Sequence, residues 1–298
     1  MGEIIESPPR WDAALRLLGG LHYLVLTGRA SWDRIDDALG GERDFLRRFV
    51  SEQRVQTNEV QRCWTLLPCF LEAARRLDAS TVDLIELGTS AGLLLFWDRY
   101  RYRYQTGEWG PPEAQLQLSG EERGPVSGEL FARELEVRDR VGIDLEPVDV
   151  TTGEGALLLR SFVWADRTER LERLDRAIAA LRDDPPEIVR GDFVEVLPGL
   201  LERRRQGGLT VVVQIAAAGY LAGEDWDRLH AALEAGGRDG PLAYVFAGYP
   251  EPMSHQHWGL WLTTWPGGER QMLARADFHG TWLDWLGLDW LGPDLLEP

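Results

Sequence analysis

The stretch VDLIELGTSAGLLLFWDRY, residues 82–100, constrains the fold more than any other part of the chain. An apolar run ends in Glu86, a turn carries glycine at 88 and 92, and a second apolar run begins at Leu93. The pattern predicts a strand, a tight turn and a helix. Further strands are predicted at RVGIDL (140–145), PEIVRGD (186–192), LTVVVQIA (209–216) and PLAYVFAGY (241–249), with helical patterns between them. LTVVVQIA is apolar enough for burial on both faces. Strands alternating with helices imply a parallel, doubly wound sheet with right-handed crossovers. HWGLWLTTW and ERQMLARAD, joined by Pro266, Gly267 and Gly268, read as an antiparallel hairpin, so the sheet is mixed.

Ahead of VDLIEL the chain reads as helices only, in WDAALRLLGGLHYLVL, ERDFLRRFVSEQ and NEVQRCWTLLPCFLEAARRL. The expected organisation is a helical lid over residues 1–80 and a Rossmann-like α/β domain over 81–298. An insertion at about 100–138, rich in Gly, Pro and Glu, interrupts the second.

Two chemistries use a strand, a glycine turn and a helix. In one, backbone N–H groups at a helix N-terminus hold a nucleotide-like cofactor. In the other, G-x-S-x-G is a hydrolase nucleophile elbow with Ser90 as nucleophile, and Asp192 or Asp225 followed by His279 would complete its triad. The elbow requires strands before its own, and VDLIEL is the first; an HGGG-type oxyanion segment is also missing upstream. The cofactor reading uses more residues: Glu86 to hold a ligand amine or a loop amide, and Gly88 and Gly92 to let the backbone approach closely.

The balance of 49 acids against 32 bases, a net charge of −17, argues against nucleic acid, because phosphate backbones require basic patches. All 32 basic residues are Arg, which excludes chemistry that needs Lys, such as Schiff bases and Walker-type phosphate loops. No apolar run approaches the roughly 20 residues of a membrane span. The N-terminal sequence lacks a basic region followed by an apolar core, so a cytoplasmic protein is expected. Cys63 and Cys69 match neither a redox nor a zinc spacing. The histidines, His255 and His257 included, have no Cys or acid at ligand spacing, so no metal site is expected.

The segment around Glu86, Gly88, Ser90 and Gly92 resembles motif I of the class I S-adenosylmethionine-dependent methyltransferases. The resemblance implies a sheet of about seven strands ending in a hairpin. It also implies that Asp144 (reserve Glu146) holds the cofactor ribose and that Asp192 faces the adenine amine. Three features depart from the pattern: Ser90 replaces the middle glycine, Asp144 lies 52 residues past Gly92, and the fourth strand ends in Gln214. QTNEVQRCWTLLP, ELGTSAGLLLFWDRYRY, GIDLEPVDV, FVWADRTERLERLDRAI and FHGTWLDWL, in that order, also resemble an uncharacterised bacterial domain-of-unknown-function family with a methyltransferase-like core. The expected function is S-adenosylmethionine-dependent methyl transfer to an O or N of a small molecule. The alternatives are a binding protein or pseudoenzyme without transfer, and the Ser90 hydrolase.

Other residues complete the expected site. Thr57 or Asn58 would cap a helix in which Glu59 and Arg62 are i, i+3 partners. Asn58 and Arg62 would face the substrate from the lid, and Tyr220 or Glu59 would orient the acceptor. Trp258, Trp261, Trp265, Trp282, Trp285 and Trp290 crowd the C-terminal region, where they would line a sheet face or a homodimer seam, with an aromatic substrate platform as the alternative.

Overall fold

A computed structural model of the chain describes residues 12–182, 184–217, 221–249 and 256–287. In chain order the helices are α1 (Ala13–Leu26), α2 (Ile35–Gly41), α3 (Arg43–Glu52), α4 (Arg62–Arg76), α5 (Gly128–Phe131), α6 (Gly153–Ser161), α7 (Thr168–Leu181), α8 (Phe193–Arg203) and α9 (Gly223–Arg238). The strands are β1 (Thr81–Leu87), β2 (Arg101–Tyr104), β3 (Gly107–Trp109), β4 (Gln117–Ser119), β5 (Glu121–Gly124), β6 (Glu136–Asp144), β7 (Glu187–Arg190), β8 (Leu209–Gln214), β9 (Leu242–Gly248), β10 (Trp258–Trp265), β11 (Glu269–Ala276) and β12 (Trp282–Trp285). No described helix is long and apolar enough to cross a membrane.

Contacts divide the chain into a helical unit, residues 1–59 with 148–185, and a sheet unit, residues 60–147 with 186–298. The helical unit draws on two stretches of sequence because α6 packs on α1, whereas α4 packs on the sheet. Its core joins Leu17, Leu21 and Leu24 of α1 to Ala38 of α2 and to Leu46 and Val50 of α3. A buried pair, Arg16 with Asp12 at 2.7 Å, supports that core, and Arg16 also donates to the Val50 carbonyl at 3.1 Å. Residues 54–59 run without regular structure, so the helix expected to start near Asn58 begins at Arg62 instead. Within this unit Glu59 pairs with Arg170 and Arg173 of α7. Arg173 donates from Nε to the buried Glu59 carboxylate at 3.0 Å and Arg170 adds its charge beside it, which ties the segment to α7.

In the sheet unit, nine strands run in the order β5-β12-β11-β10-β9-β8-β1-β6-β7. The five from β9 to β7 are parallel, as their apolar sequences predict. The mixed, doubly wound Rossmann-like sheet is therefore present, with nine strands where about seven were expected. The difference comes from β12, which follows the β10–β11 hairpin, and from β5, a strand of the insertion that pairs in parallel with β12. One face of β1, β8 and β9 is covered by α8 and α9, where Ile85, Leu87, Val212 and Tyr244 meet Leu197, Leu201, Leu229 and Leu233.

The rest of the insertion forms a small sheet ordered β3-β2-β4. It is core rather than ornament. Tyr100, Tyr102 and Tyr104 are buried, Tyr104 stacks between Trp64 and Phe131, and the Trp64 indole donates to the Arg103 carbonyl at 3.0 Å.

Leu197, on the sheet-facing side of α8, is fully buried, whereas Leu145, beyond β6, is 46% exposed. Urea unfolding is expected to show Leu197→Ala losing about 2–5 kcal/mol of stability and Leu145→Ala changing it by no more than about 0.5 kcal/mol.

Candidate cofactor site

Strand β1 lies between β6 and β8, and the chain runs from it to β6 and β7 on one side before returning to β8 on the other. The carboxyl end of β1 is thus the topological switch point, where open α/β sheets bind ligands. Gly88, Ser90 and Gly92 have φ of 75°, 55° and 76°, so three of five residues in the turn after β1 are left-handed. Glycine meets that demand without cost; Ser90 does not. Its conformation is held by a backbone N–H bond to Asp144 Oδ2 at 2.7 Å, while Gly88 N–H donates to the Ile143 carbonyl at 2.8 Å. Ala216, just past β8, is also left-handed at 64°. Strain of this kind collects at ligand sites.

Asp144 is the tie point of the edge. Its other carboxylate oxygen accepts from Glu146 N–H at 2.8 Å, and its carbonyl accepts from Gly191 N–H at 2.9 Å. The loops after β1, β6 and β7 therefore converge on one residue. Asp192, exposed, caps α8 by accepting from Val194 N–H at 2.9 Å.

Two expectations need correction. The run after Gly92 is not an α-helix but a seven-residue 3-10 segment, Leu93–Arg99, broken at Phe96. Four of its carbonyls are taken by side chains: Leu93 by the Tyr100 hydroxyl, Trp97 by the Tyr102 hydroxyl, Leu95 by Arg140 and Leu94 by the Cys63 thiol. A short 3-10 segment offers little of the helix dipole that a cofactor cradle would use. Gly88 and Gly92 do allow close approach, but to the chain itself. A Cβ on Gly88 would sit 2.7 Å from the Ala217 Cβ, and one on Gly92 would sit 2.6 Å from Pro186 Cγ.

Glu86 is 4% exposed and receives a 2.5 Å hydrogen bond from the Thr89 hydroxyl. Burial pushes its carboxyl up to about 8; the Thr89 bond opposes that shift, the Asp144 charge adds to it, and Arg62 opposes it. Thr89 was not singled out in the sequence, although its place three residues past the acid marks it as a partner. Gln214, at the end of β8, is committed elsewhere: its Oε1 accepts from the buried Tyr244 hydroxyl at 2.5 Å.

Arg62, at the start of α4, donates from Nε to the Phe278 carbonyl at 2.9 Å and lays its guanidinium 4.8 Å from the Trp258 ring centroid. Gln61 beside it donates to the Ser119 and Gly280 carbonyls at 2.9 and 3.2 Å. The structure therefore gathers Glu86, Gly88, Ser90, Gly92, Asp144, Asp192 and Arg62 in the sheet unit, and Asn58 and Glu59 in the helical unit. Tyr220, His255 and Trp290 lie outside the described residues. For the hydrolase alternative, no described strand precedes β1. Of its triad candidates, Asp225 lies 3.6 Å from Arg228, and the His279 backbone N–H donates to Asp277.

Fold and edge together define a Rossmann-like α/β protein with an acid-lined, strained turn at its switch point. Residues 2–285 match the family described as "Uncharacterized protein conserved in bacteria (DUF2332)", and the chain belongs to it. No curated protein matches the sequence. Among solved structures, an S-adenosylmethionine-dependent methyltransferase from Clostridium acetobutylicum ATCC 824 is similar at 10% identity and a TM-score of 0.29, over 77% of this chain and 74% of that one.

The Glu86 carboxyl has a definite consequence for stability. Between its usual 4.5 and about 8, the unfolded chain has released this proton and the folded chain keeps it. The Glu86 contribution therefore favours folding less as pH rises through that window, and the loss ends above it. Denaturation measured from pH 4 to 9 should show Glu86→Gln removing this decline and gaining on wild type as pH rises.

Proposed function

We propose that the carboxyl edge of β1, β6 and β8 binds S-adenosylmethionine and that the chain transfers its methyl group to an O or N of a small molecule. The observation that carries this reading is Asp144, whose carboxylate, at the end of β6, receives the Ser90 N–H of the strained turn after β1. The donor set fits the cofactor in its acids. A carboxylate offers about four lone-pair sites, and two on Asp144 are used by Ser90 and Glu146, which leaves capacity for a pair of ribose hydroxyls. Ionised, Glu86 would hold an ammonium group. Asp192 keeps its second oxygen for an amine while the first caps α8. Gly88 and Gly92 shape the turn rather than touch the ligand.

When bound, the cofactor supplies a methyl group already activated on a sulfonium, so the chain's own task is alignment and exclusion of water. Within the sheet unit, Arg62 is the proposed substrate contact. The charge of −17 supports a small acceptor over nucleic acid.

Calorimetry of the full chain with S-adenosylmethionine tests the reading. Binding is expected to weaken at least about tenfold in Asp144→Asn, a loss of about 1.4 kcal/mol. It should also tighten as pH rises toward 8, because holding an ammonium requires Glu86 to release its proton. Absence of heat at millimolar ligand would sink the proposal. Labelling of Ser90 by a fluorophosphonate would replace it with the hydrolase, and binding without turnover on any acceptor would reduce it to a binding protein.

A further inference from the structure

We propose that Thr89 is a positioning residue of the candidate site. Its hydroxyl orients the Glu86 carboxylate and favours the ionised form that an ammonium group requires, and so governs when an amino-bearing ligand is accepted; the ligand role rests on the function proposed above. Glu86 and Gly142 are partners in the β1–β6 ladder, so their side-chain positions share one face of the sheet. Gly142 has no side chain to place there, and the turn after β1 supplies one instead. A Cβ on Gly142 would sit 2.3 Å from Thr89 Cγ2 and 3.0 Å from Thr89 Oγ1. The Thr89 side chain therefore occupies the space of a β6 residue, beside the acid. There its hydroxyl donates to Glu86 Oε2 at 2.5 Å, and both residues are buried.

Little in this arrangement can give. Thr89 lies between the left-handed Gly88 and Ser90, its N–H donates to the Ile143 carbonyl at 3.2 Å, and its carbonyl accepts from Gly92 N–H at 2.9 Å. A β-branched side chain on so fixed a backbone has few rotamers open to it. The 2.5 Å separation is that of a hydroxyl on an ionised carboxylate. Burial pushes the Glu86 carboxyl up to about 8, and the Thr89 bond works against that rise. Of the charges that face Glu86, Asp144 at the end of β6 adds to the rise and Arg62 at the start of α4 opposes it. The Tyr100 phenol, raised chiefly by its own burial, feels the Glu86 charge as well. Thr89 touches the acid directly and carries no charge, so replacing it alters the proton affinity of Glu86 without altering the net charge.

Carbon NMR titration of the full chain, labelled at its glutamate carboxyls and with the Glu86 resonance assigned by Glu86→Gln, tests the proposal without a ligand. Thr89→Val keeps the branched shape against Gly142 and removes the donor, so the Glu86 midpoint should rise by about half a pH unit or more. Thr89→Ser keeps the donor and should stay nearer to wild type than to Thr89→Val; circular dichroism checks that each variant is folded. An unmoved midpoint in Thr89→Val, or a shift as large in Thr89→Ser, overturns the proposal. The ligand role is read separately, by calorimetry with S-adenosylmethionine across the same pH range. The ligand's own amine titrates identically for every variant, so the difference between wild type and Thr89→Val reports the protein. The rise of affinity with pH should move upward in Thr89→Val by the same interval as the Glu86 midpoint. If S-adenosylmethionine fails to bind while the midpoint still moves, the proposed function has failed and Thr89 keeps its hold on Glu86. If the cofactor binds with the same pH dependence in wild type and Thr89→Val, this inference alone has failed.

Discussion

The structure depends on β1 being bonded in parallel on both edges and buried from Val82 to Leu87. A strand in that position cannot slip by one residue without moving Asp83 and Glu86 to its opposite faces and putting apolar neighbours, Val82 and Ile85 or Leu84 and Leu87, in their places. Its register therefore fixes where the buried carboxyl of Glu86 emerges and where the following turn must start. Outside β1 the turn is anchored on the end of β6, through the Ile143 carbonyl and the Asp144 carboxylate. Everything at the candidate site is referenced to this pair of strand ends.

The second support comes from α4. Its helix is buried almost throughout, and its first residues reach three different parts of the sheet unit: Gln61 to β4 and the loop after β11, Arg62 to Trp258 and Phe278, and Trp64 to Tyr104 and Arg103. The small sheet of the insertion thereby becomes part of the same core as the edge that would bind ligand. Its tyrosines also reshape the main motif, since Tyr100 and Tyr102 take carbonyls from the segment after Gly92 that an α-helix would need for itself.

The order of strands and helices, the parallel centre and the terminal hairpin were legible in the sequence, because they follow from apolar runs of strand length separated by amphipathic segments. Glu86, Asp144 and Asp192 were legible as edge residues for the same reason: each stands at or just past the end of such a run. The sequence also marked positions 88 and 92 as glycines in a tight turn. It did not say what the glycines approach, since Ala217 and Pro186 are brought there by strands β8 and β7, more than 90 residues away in the chain.

Other features belong to the tertiary structure alone. Five consecutive apolar residues from Leu93 to Trp97 are compatible with a helix by pattern, and only the surrounding hydroxyls and Arg140 decide that the backbone coils more tightly. The pairing of Glu59 with α7 joins residues more than 100 positions apart, and the Arg62–Trp258–Phe278 contact joins residues about 200 apart. Local periodicity carries no information about such partners. What the sequence determined by itself is which segments are strands and helices and which acids end them. What the tertiary structure decided is which of those acids is buried enough to keep its proton, and which glycine of β6 makes room for the hydroxyl beside it, because burial and close approach exist only once distant segments have packed.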